Sequence, residues 1–205
     1  MKKSLSNNNN ESKHLKPKPK RLDEVLEEIR KNDNFIASRS HNMLVYDELE
    51  SFEKFYARYA AKWLPRSEIV LIATQYQTFD KVDRALRKTG MDITKYMDEG
   101  SLLIIDAQHG YMLGDVNATK KLAMTLVQRA RQEGRHGVSW IGDMGSFIGF
   151  QRVTDLMDYE LSCPQQYEDE MIRTVCCYHE GDFRRLSSKD RNVLHNHHFS
   201  SVTIG

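Results

Sequence analysis

The chain has 205 residues, a hydrophobic share of 40%, a charged share of 29% and a net charge of +1. These values suit one soluble globular domain and exclude both a collagen-like or low-complexity chain and a helical membrane protein, since no apolar run approaches the roughly 18 residues a span needs. Three cysteines, two of them adjacent, form no disulfide framework and fit a reduced, cytoplasmic protein. The near-neutral charge hides an asymmetry. Residues 1–21 hold seven of the 30 basic residues and one of the 29 acidic ones, leaving 23 bases against 28 acids in the remainder.

In chain order, residues 1–21 read as a disordered basic tail, poor in apolar residues and carrying Pro17 and Pro19. A solubilising role fits it better than a nucleic-acid or membrane-surface role for Lys2–Arg21. Residues 22–34 are predicted as an amphipathic helix and linker, in which LDEVLEEIRKN places Leu22, Val25, Leu26 and Ile29 on one helical face.

The body, residues 35–205, alternates strands and helices. Strands are predicted at 41–47, 67–74, 101–107, 137–144, 171–179 and 201–204. Helices are predicted at 48–64, with Leu49 facing inward, and at 78–90, capped by Thr78 and closed by Gly90. Further helices are predicted at 92–100, 115–134, from 149 to 163, and at 187–197, capped by Ser187. Continuous apolar strands separated by helical stretches predict an α/β fold. Its mostly parallel sheet would carry helices on both faces in three layers.

The segment RTVCCYHEGDF raises the question of metal or redox chemistry. Successive strand side chains point to opposite faces, so Cys177 and Val175 would face one layer and Cys176, Tyr178 and Thr174 the other. Adjacent cysteines also lack zinc-ligand spacing, and core packing is the favoured reading over metal or redox chemistry. His195 and His198, three apart near a helix end, form a candidate metal pair. No cysteine or carboxylate stands nearby at ligand spacing, and the dipole at a helix C-terminus also favours histidine.

No phosphate loop, dinucleotide fingerprint or nucleophile elbow occurs, and the first strand is followed by the acidic, glycine-free YDELESF. Nucleotide hydrolysis is not expected, and no cofactor is assigned. The candidate ligand pocket lies at the carboxyl ends of the strands, where Tyr46, Asp47, Tyr76, Asp106, Asp143 and Tyr178 fall.

Several blocks together carry a resemblance: HNMLVYDELESFEKF, EIVLIAT, YMDEGSLLIIDAQHGYM, ARQEGRHGVSWIGDM, LMDYELSC, VCCYHEGDF and VLHNHHFSSVTIG. In this order they resemble the MEDS domain, the methanogen/methylotroph DcmR-type sensory domain. The resemblance implies a RecA/KaiC-like fold without a P-loop, here spanning residues 35–205. It also implies a non-catalytic sensor of a small molecule, with hydrocarbon derivatives as one class, acting through a signalling or transcription partner. A homodimer is compatible with this reading.

The motif residues are His41, Tyr46, Tyr111, Asp143, Glu160, Cys176, Tyr178 and His197. With Tyr76 and Asp106 from the strand ends, the candidate ligand contacts are His41, Tyr46, Tyr76, Asp106, Tyr111, Asp143, Glu160 and Tyr178. Asp143, Ser139 and His198 depart from the family pattern, which has Glu, Arg and Pro at those places. The competing readings are a ligand-free interaction or assembly domain and a residual nucleotide binder.

Overall fold

The computed structural model describes residue 21 and residues 23–25, 40–107, 116–167 and 171–205. The tail, most of the 22–34 helix and Tyr111 lie outside the described residues.

Six strands form one sheet: β1 (His41–Tyr46), β2 (Glu68–Thr74), β3 (Leu102–Asp106), β4 (Gly137–Asp143), β5 (Ile172–His179) and β6 (Ser200–Ile204). The order is β3-β2-β4-β5-β1-β6 and every pairing is parallel. All residues of β1, β2 and β4 are buried, as expected for strands covered on both faces.

The helices are α1 (Leu49–Trp63), α2 (Phe79–Arg87), α3 (Ile93–Asp98), α4 (Val116–Gln132), α5 (Gly145–Gly149), α6 (Val153–Ser162), α7 (Glu180–Phe183) and α8 (Ser188–His197). The chain steps from β1 through β2 to β3 in one direction across the sheet, then returns through β4 and β5 to β6. Right-handed crossovers send the helices of these two journeys to opposite faces. The core divides accordingly. Phe52, Phe55, Tyr56, Val82 and Ile93 of α1–α3 pack on Leu44, Tyr46, Ile72, Val175 and Cys177. On the other face Leu126, Leu156, Tyr159, Phe183 and Leu194 pack on Met43, Val45, Leu71, Cys176 and Tyr178. The two cysteines thus face opposite layers, as strand alternation requires.

The sheet, expected to be mostly parallel, is parallel throughout, and three expectations of detail need correction. The helix expected from 149 begins only at Val153: α5 ends at Gly149, and Gln151, with a left-handed φ of 58°, re-aims the chain into α6. Leu49 is 36% exposed because it is the first residue of α1 and has no turn beneath it. Thr78 occupies the position before α2 but its side chain makes no cap bond, whereas Ser187 accepts from Asp190 N at 3.1 Å.

The amino ends of β2 and β5 are tied by a buried ion pair, Arg173 Nη2 to Glu68 Oε1 at 2.6 Å. The guanidinium lies 3.6 Å over the Trp63 ring. Among the described residues no helix is long and apolar enough to cross a membrane.

Candidate functional site

Two buried polar clusters emerge from the fold, each centred on a carboxylate. The first stands at the carboxyl edge of the sheet. Asp143 ends β4 with no solvent exposure and accepts from Tyr46 Oη of β1 at 2.8 Å. It also accepts from Gly145 N at 3.1 Å and from Gln75 N at 3.5 Å. Burial pushes its carboxyl up to about 6, against the lowering effect of these donors; nearby Asp182 adds to the rise.

Gly145 allows close packing of these side chains here. A Cβ at that position would lie 2.9 Å from Asp182 Oδ2 and 3.0 Å from Gln75 Oε1. Asp182 in turn accepts a hydrogen bond from Tyr76 Oη. The His179 ring meets Tyr46 and Tyr76 edge-on, with centroids 5.4 and 5.7 Å apart.

Beside this cluster opens a cavity of about 360 Å³ between the ends of β2 and β3. Its lining includes Gln75, Tyr76, Phe79, Ile104, Ile105 and Asp106. Tyr76 and Phe79 are 39% and 48% exposed, and Gln75 Oε1 is buried without a hydrogen-bond partner. A larger hollow of about 830 Å³ lies over α1 and α2. Several of its charged side chains pair with one another, as in Lys54–Glu50 at 2.7 Å and Lys88–Glu53 at 3.2 Å. It is a solvated, self-neutralised surface rather than a convergent site.

The second cluster is sealed between the sheet and helices α6 and α8. His41 comes from β1, Glu160 from α6, Cys176 from β5 and His198 from the residue ending α8. None is more than 5% exposed. Glu160 Oε2 lies 3.0 Å from His41 Nε2 and 3.3 Å from His198 Nε2, and Cys176 Sγ lies 3.2 Å from His41 Nε2.

Tyr178 Oη donates to the other oxygen, Glu160 Oε1, and His198 Nδ1 donates to Leu194 O at 2.7 Å. Burial pushes the Glu160 carboxyl up, but His198 and His41 more than offset this and hold it below the usual carboxylate range. Burial pulls both imidazoles down. His41 remains lowered, while Glu160 raises His198 above its ordinary value.

The sequence-predicted residues therefore divide. Tyr46 and Asp143 form the edge cluster, and Tyr76 and Asp106 line the cavity beside it. His41, Glu160 and Tyr178 do not reach that edge. They belong to the sealed interior, because odd-numbered residues of β1 and even-numbered residues of β5 face the α6–α8 layer.

The candidate pair His195–His198 does not form. α8 ends at His197, so the extended backbone of His198 (ψ 148°) turns its ring inward, while His195 Nδ1 meets Ser201 Oγ at 2.7 Å. His197 reaches Cys163 O at 2.7 Å instead of entering the cluster. Sequence reasoning missed Asp182 and the role of Cys176 beside a carboxylate. The only local signal for Asp182 was its place just beyond the end of β5.

Similarity to known proteins agrees with this architecture. The crystal structure of an uncharacterized Pyrococcus horikoshii protein, PH0321, in complex with an unknown peptide superposes with a TM-score of 0.63. It shares 14% identity, with 88% of this chain and 82% of that one covered. A KaiC-like protein of the same organism, PH0186, gives 0.45 at 13% identity over 69% and 61%. The flagellar accessory protein FlaH of Methanocaldococcus jannaschii gives 0.47 at 11% identity over 83% and 75%. No curated protein matches the sequence significantly. The family profile "MEthanogen/methylotroph, DcmR Sensory domain" matches residues 40–198, and the chain belongs to this MEDS family of sensory domains.

Proposed function

We propose that the chain is a non-catalytic sensor that binds a small organic molecule at the carboxyl edge of the sheet. It would pass occupancy to a partner protein in signal transduction or transcriptional regulation in the cytoplasm. One observation carries the reading: a 360 Å³ cavity with exposed aromatic walls is lined in part by Gln75, whose buried Oε1 lacks a donor and whose backbone N–H reaches the buried Asp143 at 3.5 Å. That volume is at the small end of ligand pockets, which span roughly 300–1,000 Å³.

Asp106, Asp143 and Asp182 make the edge acidic, so an anion such as a nucleotide phosphate is disfavoured. The fitting class is a neutral or cationic hydrocarbon derivative, such as a short amine or alcohol. Its N–H or O–H would meet Gln75 and its apolar part would lie on Tyr76 and Phe79. Binding is favoured over catalysis because the strongest nucleophile candidates, Cys176 and Cys177, are buried. Desolvation pushes both thiols well above the ordinary range, which disfavours the reactive thiolate.

Native mass spectrometry of the full chain purified from its own host tests this. The expected result is a stoichiometric organic adduct that is lost in both Gln75→Ala and Tyr76→Ala. A bare mass, an adduct untouched by both substitutions, or a protein hetero-complex without any adduct overturns it.

A further inference from the structure

We propose that His41, Glu160, Cys176 and His198 form a four-coordinate site for a borderline divalent cation, with zinc the best fit. This is independent of the sensory reading, since the site is walled off from the edge cavity.

The donor atoms come from four separate elements, yet all lie within 4.8 Å of one another. Zinc bonds of about 2.0–2.3 Å place tetrahedral donors roughly 3.3–3.6 Å apart. Three of the six donor pairs, at 3.0, 3.2 and 3.3 Å, are within a few tenths of an ångström of that geometry, and the others, within 4.8 Å, would have to draw in on binding. Two imidazoles, a carboxylate and a thiol are donors that zinc accepts, and four protein ligands make the closed shell of a structural site.

The orientation of the groups is the second, independent observation. Glu160 Oε2 and His198 Nε2 are buried and within ion-pair distance, but neither has a partner in line for a hydrogen bond. A structural His–Glu–His triad would aim its N–H groups at the carboxylate oxygen. Here four donor atoms from four elements converge within 4.8 Å of one another. Two of the four are held from behind, as metal ligands usually are, while His41 Nδ1 is buried without a partner. His198 Nδ1 donates to Leu194 O, which leaves Nε2 as the inward atom, and Tyr178 Oη holds Glu160 Oε1 so that Oε2 points in.

Charge closes the case. A divalent ion with one thiolate, one carboxylate and two neutral imidazoles is electrically neutral, which suits a fully buried centre. Binding forms four coordinate bonds, and the Cys176 thiol proton, with any proton on the imidazoles, is released to solvent.

The test uses the full chain with any affinity tag removed. It is stripped with a chelator, reconstituted with zinc or with cobalt(II), and desalted. The expected results are one ion per chain by elemental analysis, a thiolate-to-cobalt charge-transfer band, and a Tm raised by zinc. Cys176→Ser should lose that band, and His198→Ala should weaken retention at least tenfold, while His195→Ala should behave as wild type. The wild-type cobalt spectrum decides the matter even if a variant fails to fold. Wild-type protein that retains no ion and whose Tm zinc does not move, or a bound ion without a thiolate band, overturns the proposal.

Discussion

Asp143 and Glu160 are both completely buried carboxylates in the same small domain, yet their surroundings push them in opposite directions. Asp143, at the sheet edge, meets a phenol and two backbone N–H groups. These neutral donors do not offset the cost of taking its charge out of water. Glu160, in the interior, lies between two imidazoles that together outweigh the same cost. A third case, Glu68, is still raised by burial although Arg173 lies 2.6 Å away. Burial alone does not decide whether a carboxylate is charged; the number and placement of its cationic partners do. The edge group is left poised near neutrality beside an open cavity, whereas the interior group is locked in its ionised form.

The largest effect expected is at Glu160. Glu160→Gln keeps the shape but removes the charge that His198 relies on, and breaking a buried pair in this way costs about 3–5 kcal/mol. Urea unfolding would read this directly. A loss below about 1 kcal/mol would mean that the interior cluster is a bystander and the comparison fails.

Asp143→Asn should behave in the opposite way, and pH exposes it. Because the folded-state carboxyl is raised to about 6, the native protein holds more protons than the unfolded chain between roughly pH 4 and 6. Wild-type stability therefore loses the contribution of this group as pH rises through that window. The stability of Asp143→Asn relative to wild type should grow over the same interval by up to about 3 kcal/mol and level off above it. A difference that is flat with pH would show that Asp143 titrates normally.

The fold was largely legible because buried parallel strands are continuous apolar runs, and EIVLIAT and GVSWIGD declare themselves. The site was legible residue by residue but not as a pair of clusters. His41, Glu160, Cys176 and His198 are scattered over most of the chain, so no ligand spacing exists to be read. The face each residue takes follows from strand register, such as Met43 opposite Cys176, which no local pattern supplies. His198 was paired with His195 by their three-residue spacing across the helix end. Helical periodicity put it beside His195, whereas the extended backbone beyond His197 sends it to Glu160. Asp182 was missed because the four-residue α7 is too short to show any period.

Two smaller effects sharpen the contrast. Tyr46→Phe removes the side-chain donor to Asp143 and should cost about 1–3 kcal/mol at neutral pH, with less loss once Asp143 is protonated. Unfolding at pH 7.5 and pH 5 checks this; an equal cost at both would mean that the phenol does not stabilise the charged form. Tyr76→Ala, at a part-exposed position, should change stability by about 1 kcal/mol or less while abolishing retention of the host-derived adduct. A large loss of stability would make Tyr76 part of the scaffold rather than the wall of a binding site.

The most direct test of the contrast is a carbon-13 NMR titration of the side-chain carboxyls, assigned through Asp143→Asn and Glu160→Gln. The account predicts that Asp143 titrates near 6 and that Glu160 shows no titration down to the bottom of the usual carboxylate range. An Asp143 midpoint at the ordinary value of about 4, or a Glu160 that titrates with it, would contradict the division into a poised edge and a locked interior.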